Sequence, residues 1–517
     1  MALCISCSHP PVPVILSEDA QRPSRRIPVF PHCWFSFIST LSFSESFRAH
    51  PFPLRLSSHP LHCKQFSGGH RIKLKTTALL AWIAVLLAAG LFLVRGPLRA
   101  SSGYVNDFAA PYTATRLWLQ HRNPYDSTAF FPTWHEAGAP KGNVAGNPSG
   151  THPVYPPPTL VVLIPFALMT WPIAVEALTL LSTALYLAVL PLLASFLPGT
   201  WRDPVKPTLL AFGLALAPTH SGLHVTNVAC LAATLLFLSI YFLLSNAKPI
   251  NLPAIVCLTL AICLKPTLGL LLIPYLIWTR AWRALSATAA IFATITATSL
   301  YPLLSLGPVW LSSLRENIAV VFTNGGAADV SEQSLLRFDR IDLQVPLYAL
   351  LHSRTAASLV SVLIPAALLL LWSQSKPNIS NQPLSGETLD QHILQIASLI
   401  LIGLLPFYQR YYSAMMVLLP ILWALRTLSH QSSRAIQRWA LILSSIFLIN
   451  TEALFSRSAL LPFLIVHFPL LANFLLGPHL CWLLLLLSTL LLAFLIQESS
   501  VEQTVADVSD DSLIECR

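Results

Sequence analysis

At 517 residues, 54% hydrophobic and only 10% charged, with a mean hydropathy of +0.64, the chain is too apolar for a soluble globular protein, which carries about 25% charge. Its apolar runs of about 20 residues are continuous Leu/Ala/Ile stretches that recur from Thr76 to Ile496, each long enough to cross ~30 Å of hydrocarbon; this excludes a β-barrel and predicts an all-α polytopic membrane protein. The +9 formal charge is pooled: residues 1–75 hold nine Lys/Arg against three acids, and the last twenty hold six acids against Arg517, a distribution that records topology and, without a basic and aromatic stripe, excludes nucleic acid as a partner.

Residues 1–70 are rich in Pro, Ser, His and Arg and contain no spanning run. They read either as a disordered extension or as an upstream-extended start, and they lack the tripartite pattern of a cleaved signal peptide. Cys4 and Cys7 have CxxC spacing with no second pair, whereas Cys230, Cys257, Cys263 and Cys481 lie in apolar runs as small hydrophobes. No metal site and no cofactor is expected.

The basic cluster His70-Arg71-Ile72-Lys73-Leu74-Lys75 abuts the first span, 76–95, and by the positive-inside tendency stays in the cytosol, so that 96–157 faces outward. Further spans are expected at 158–197 (a short re-entrant or interfacial piece, then a full helix), 207–222, 224–245, 252–264, 266–279, 284–304, 346–373, 391–407, 411–427, 438–455, 459–476 and 479–496. Pro266 favours a break after Lys265, because proline removes a backbone donor and clashes with the preceding turn. With that break, Arg202/Lys206, Arg280/Arg283 and Arg426/Arg434/Arg438 all become cytosolic. The expectation is a bundle of about eleven to thirteen crossings over 71–496, with large extracytoplasmic loops at 96–157 and 305–345 and an acidic tail at 497–517. No internal repeat is visible, which argues against a transporter built from inverted halves.

The polar residues concentrate in the outward loops. Asp107 stands in Tyr104-Val105-Asn106-Asp107-Phe108, ahead of an amphipathic helix expected at 108–121 whose Tyr112, Leu117 and Trp118 would rest on the membrane. Asn106 or Asp107 can be that helix's N-cap, or Asp107 can deprotonate an acceptor hydroxyl. Arg116 and Arg122 suit a lipid phosphate or an interfacial anchor. Asn123-Pro124-Tyr125-Asp126 reads as a turn, with Asp126 as the cap of the next element, and Tyr155 leads back to the membrane. Lys265 reads as a phosphate ligand at the outer rim or as a snorkelling side chain. Pro218 and Gly222 argue for a turn that spoils a metal site at His220 and His224, so that these and Asn227 are better sugar or phosphate ligands. Tyr408-Gln409-Arg410-Tyr411-Tyr412 suits phosphate or sugar, or an aromatic belt. Glu176 is a charge inside an expected span.

Taken in order, Asp107-Phe108, Tyr112, Asn123-Pro124-Tyr125-Asp126, Tyr155-Pro156-Pro157, Leu264-Lys265-Pro266-Thr267, Arg280-Ala-Trp-Arg283, Gln333-Ser334-Leu335 and Phe407-Tyr408-Gln409-Arg410-Tyr411 resemble glycosyltransferase family 87. These are the polyprenyl-phosphate-mannose-dependent α-mannosyltransferase-like proteins of the GT-C superfamily, and the resemblance covers about residues 75–430. It departs from the family at the 220–227 turn, which lacks a Gly-Gln pair, at Gln409 in place of a His, and at Ser413 in place of an acid.

The resemblance implies a GT-C-type bundle that moves a hexose, mannose first, from a polyprenyl-phosphate-linked donor to a lipid or glycan acceptor with inversion. Asp107 would take the acceptor's proton, and Lys265, Arg410 or Arg116 would stabilise the leaving phosphate. His220, His224, Asn227, Tyr408 and Gln409 would complete the donor site, with Asn123, Tyr125, Asp126 and Tyr155 structural in the loop. The expected location is the plasma (inner) membrane, multi-pass among its lipids, with the site facing outward. Two rivals from other classes remain at this level: a transporter or flippase of a lipid-linked or small polar solute, and a non-catalytic membrane scaffold.

Overall fold

The computed structural model describes residues 68–141, 151–245, 251–323, 325–334, 336–375, 386–428, 435–449 and 460–514. The N-terminal segment up to residue 67, with Cys4 and Cys7, lies outside them. Among the described residues the chain is α-helical, and its one β element is an isolated antiparallel bridge between Arg340 and Arg410.

In chain order the helices are α1 (Gly68–Arg95), α2 (Ala109–Leu119), α3 (Phe130–Glu136), α4 (Pro157–Ala167), α5 (Trp171–Ala194), α6 (Val205–Ala215), α7 (Ala217–His224), α8 (Val228–Ser245), α9 (Leu252–Leu264), α10 (Pro266–Trp278) and α11 (Trp282–Leu304). They continue as α12 (Val309–Phe322), α13 (Gln344–Leu351), α14 (Arg354–Ser373), α15 (Gly386–Gly403), α16 (Leu418–Thr427, entered by a 3-10 stretch Tyr411–Val417), α17 (Ala435–Ser445), α18 (Leu460–His467) and α19 (His479–Ile514). Among the described residues six stretches are long and apolar enough to cross a membrane: Thr76–Arg99, Trp171–Ala194, Val228–Ser245, Trp282–Leu304, Arg354–Ser373 and His479–Gln497. Six shorter apolar helices pack among them, so the chain is a polytopic α-helical membrane protein.

The interior is filled by Leu, Ala and aromatic side chains, with Trp134, Trp171, Trp423 and Tyr112 fully enclosed. Leu79, Leu86, Leu87, Tyr301, Leu359 and Leu370 point outward, a distribution natural where the surrounding solvent is hydrocarbon.

At Lys265 the chain folds back. Lys265 leaves the helical region (φ −148°, ψ 88°), and Pro266 starts the return at the first helical position, where its missing N–H costs nothing. Thr159 of α4 donates its hydroxyl to Cys263 O at 2.6 Å, satisfying a carbonyl that the break releases. Gly269 passes so close to the outgoing helix that a Cβ would lie 2.4 Å from Ile262 N. The reversal returns Arg280 and Arg283 towards the end from which α9 started.

Several sequence expectations change. The span expected at 207–222 is two helices, α6 and α7, and the turn expected from Pro218 and Gly222 is helical as far as His224, because Pro218 stands in the first turn of α7, where its missing N–H costs nothing. Helix α2 does not rest on the membrane: Tyr112, Leu117 and Trp118 are buried, enclosed by α4, Trp171 and the carbonyl of Ser299, to which Trp118 Nε1 donates at 2.9 Å. The stretch 305–345, expected as a loop, contains α12, a 14-residue helix. The span expected at 346–373 is two helices, α13 and α14, parted by His352 in the left-handed region (φ +50°). Glu176 is exposed near the start of α5 rather than buried among the other helices.

Candidate functional site

Asp107 lies where the segment between α1 and α2 meets the turn before α8. Its backbone N–H donates to Val225 O at 3.2 Å, and Asn227 Nδ2 donates to its Oδ2 at 2.7 Å. Neither Asn106 nor Asp107 is the N-cap of α2, which is Phe108; Asn106 closes the turn ahead of it, its Oδ1 accepting from Phe108 N at 3.0 Å and its backbone carbonyl from Ala109 N. The Asp107 carboxylate is thereby left out of the cap. Among the described residues both of its side-chain contacts are on Oδ2, from Asn227 and from Arg410 Nη1 at 3.7 Å, and the side chain is 25% exposed.

Arg410 arrives from the loop after α15. It is held by Asp339, which accepts from Arg410 Nε at 2.7 Å and also from Nη2. Asp339 belongs to the stretch between α12 and α13, so three segments distant in sequence meet at one guanidinium. Behind them runs a short extended pairing. Ile341 N donates to Gln409 O at 3.0 Å, and Leu343 N to Leu405 O at 2.8 Å. In extended backbone alternate residues face opposite sides. Accordingly Arg340 and Asp342 form a fully buried two-pronged pair at 2.9 and 2.7 Å, while Asp339 is turned to Arg410. Asp342 also accepts from Gln409 N at 3.2 Å, which locks the register of the two segments.

Lys265, at the fold-back, donates from Nζ to Ser413 Oγ at 3.1 Å, and Ser413 in turn donates to Gln409 Oε1 at 2.8 Å. Gln409 Nε2 closes the chain on Thr267 O at 3.2 Å. The ring of Tyr412 carries two cations, Lys265 Nζ at 4.7 Å from its centroid and the Arg410 guanidinium at 5.8 Å. The Tyr155 and Tyr408 hydroxyls share the electrostatic environment of Asp107 and Arg410. Burial raises both phenols, Tyr408 to about 12, so they stand in the site as neutral donors at ordinary pH.

Several candidates do other work. Arg116 Nη1 donates to Ala167 O at 2.9 Å and Met169 O at 3.2 Å, closing the carbonyl end of α4. His220 is buried, with Nε2 2.7 Å from Leu214 O and its ring edge-on to Phe92. His224 has its pKa lowered by burial and then by Arg99, which leaves a neutral imidazole rather than a phosphate-binding cation. In the first loop, Asn123 Nδ2 donates to Ser313 of α12 at 2.9 Å, Tyr125 OH to Tyr155 O at 2.9 Å, and Asp126 Oδ1 accepts from Thr128 N at 2.9 Å. Tyr155 has the structural contact expected of it, its carbonyl accepting from Tyr125, and its hydroxyl is also within electrostatic reach of Asp107 and Arg410.

The sequence pointed to Asp339 and Tyr412 only as members of a charged loop and an aromatic run. The signal that could have found Asp339 was the Asp339-Arg340-Ile341-Asp342 segment, short and charged with an extended character, inside an otherwise helical chain.

Asp107, residues 225–227, Lys265, Asp339 and Arg410 are thus gathered at one end of the bundle. At the other end Arg426 bonds to Asp390, Phe196 O and Gly386 O. A carboxylate beside two cations and neutral phenols, at the end of an apolar bundle, can bind a lipid-borne anion and move one proton.

The family model described as Glycosyltransferase family 87 matches residues 154–381. That stretch contains Tyr155, Lys265 and Asp339, while Asp107 and Arg410 lie outside it. No curated protein and no solved structure matches the chain.

Proposed function

We propose that this membrane glycosyltransferase of family 87 transfers a hexose, mannose first, from a polyprenyl-phosphate donor to a hydroxyl of an extracytoplasmic lipid or glycan, with Asp107 as general base. The observation that carries the reading is the one-sided use of the Asp107 carboxylate. Oδ2 is held by Asn227 and Arg410, while Oδ1 has no partner among the described residues and is free to receive a proton. The acceptor oxygen attacks the anomeric carbon as its proton passes to Oδ1, and the carbon–oxygen bond to the phosphate breaks on the opposite face. The electron pair of that bond stays on the polyprenyl phosphate, whose added charge a neighbouring cation offsets in a partly dehydrated site. Inversion results from a single displacement.

The positive-inside pattern supports an outward-facing site in the plasma (inner) membrane, within a transmembrane domain at 71–496. The acidic 497–517 tail continues α19 as far as Ile514.

Purified protein in lipid bilayers, given a polyprenyl-phosphate hexose and an acceptor, should consume the donor with or without chelator. Strict dependence on a nucleotide sugar, or loss of turnover in chelator, would overturn the mechanism.

A further inference from the structure

The site holds two cations, and their surroundings differ in kind. Arg410 is committed: two of its nitrogens bond Asp339, a third faces Asp107, and its side chain is only 15% exposed. The bridge to Arg340 and the bond from Ile341 N to Gln409 O fix the backbones that carry Arg410 and Asp339 against each other. A phosphate that took Arg410 would strip Asp339, 11% exposed, of its cation and leave a buried carboxylate unpaired, an arrangement proteins avoid.

Lys265 is uncommitted. Its bonding partner is the neutral Ser413 hydroxyl, its Nζ lies over the Tyr412 ring, and no carboxylate pairs with it among the described residues. Burial and then Arg410 lower its pKa to about 7, so an arriving phosphate supplies the opposite charge that its ammonium form lacks. An ammonium has three donors, and one is used here.

We propose that Asp339 is a positioning residue that commits Arg410 to Asp107, so that the two cations divide the work and Lys265 alone receives the donor phosphate. The division rests on the transferase reading. It adds that the guanidinium beside Asp107 belongs to the base and not to the leaving group. With its fork fixed on Asp339, Arg410 presents one nitrogen to Asp107 Oδ2, which turns Oδ1 to the acceptor. Without Asp339 the guanidinium is free to swing fully onto Asp107 and occupy both oxygens.

The test uses the full chain in lipid nanodiscs, with two readouts: the Kd for sugar-free polyprenyl phosphate, and kcat for transfer. Lys265→Ala should weaken Kd at least tenfold. Arg410→Gln, Asp339→Asn and the double variant should each keep Kd within about threefold of the parent. Their kcat should fall by similar factors of ten or more, and the double variant should fall no further than the worse single, as expected of residues acting as one unit. Asp339→Glu, which keeps the charge, should recover most of kcat.

A tenfold weaker Kd in Arg410→Gln would overturn the proposal by making Arg410 a phosphate ligand, and multiplying losses in the double variant would overturn it by uncoupling the pair. Retained phosphate binding shows that a variant is folded. Should Asp339→Asn or Arg410→Gln not fold, Asp339→Glu and Arg410→Lys carry the same comparison, Kd held and kcat reduced in the lysine variant. If the parent moves no sugar from any donor, the transferase reading fails, while the Kd measurements still decide which cation binds phosphate.

Discussion

Asn227 donates its side-chain amide to Asp107 Oδ2 at 2.7 Å and, with its own Oδ1, caps the start of α8 by accepting from Ala229 N at 2.7 Å. One side chain therefore ties the segment between α1 and α2 to a helix N-terminus 120 residues away. Asn227→Ala should lower kcat about tenfold, since a hydrogen bond to a charged group contributes roughly 1.5–3 kcal/mol and part is recovered by water. It should also lower thermal stability through the lost cap. Asn227→Asp keeps the cap but sets a carboxylate against Oδ2, so its kcat should fall further than that of the alanine variant. A fully active Asn227→Asp enzyme would show that Asp107 is not the reacting carboxylate.

Asp107→Asn should reduce turnover by about 10²–10⁴, the usual contribution of positioned proton transfer, with little change in donor affinity. Asp126→Asn should cost little, because Asp126 accepts from Thr128 N at the head of a short 3-10 turn and asparagine caps nearly as well. A dead Asp126→Asn enzyme beside an active Asp107→Asn one would reverse the assignment of the two carboxylates.

Gly269→Ala should destabilise the protein by about 1–3 kcal/mol, as overpacking does, because the added methyl meets Ile262 N at 2.4 Å and Ile262 Cα at 2.6 Å. Those are backbone atoms of α9, which cannot turn aside as a flexible side chain would. Gly90→Ala in α1 has open space around its Cβ and should instead raise stability by about 0.5–1 kcal/mol. Thermal unfolding in detergent compares the two, and equal effects would show that the fold-back at Lys265 is loose enough to admit a methyl group.

Membrane sidedness is readable from the two ends of the bundle. In a background with the native cysteines replaced, Gly103→Cys and Ser312→Cys should react with an impermeant thiol reagent from the outer face. Arg202→Cys should react only after permeabilisation; all three positions are exposed. Labelling of Gly103→Cys and Ser312→Cys from opposite faces would refute the crossing count between α1 and α12.

The spans of this protein were legible because burial in lipid is written locally. A run of about 20 apolar residues satisfies its own backbone as a helix and needs no distant partner to be recognised. The fold-back at Lys265-Pro266 was legible for the same reason, proline's missing donor being a property of one residue. The expected surface helix before Asn123 was misjudged because amphipathicity shows that a face is apolar without saying what covers it. Here the cover is α4, Trp171 and α11, contributed from elsewhere in the chain.

Residue types and their neighbourhoods by themselves determined the class of the protein, the reversal at Lys265, the crowding of polar side chains into a few loops, and Asp107, Lys265 and Arg410 as the groups worth testing. Only the tertiary structure decided how those groups are shared out. Arg410 and Arg116 are both arginines outside the six long apolar helices, yet one faces Asp339 and Asp107 while the other closes a helix end. The reason is physical: the role of a charge is set by which opposite charge or carbonyl lies within about 3–4 Å of it, and for Asp107, Asp339 and Arg410 that proximity is made by three loops far apart in the chain that meet only when the bundle closes.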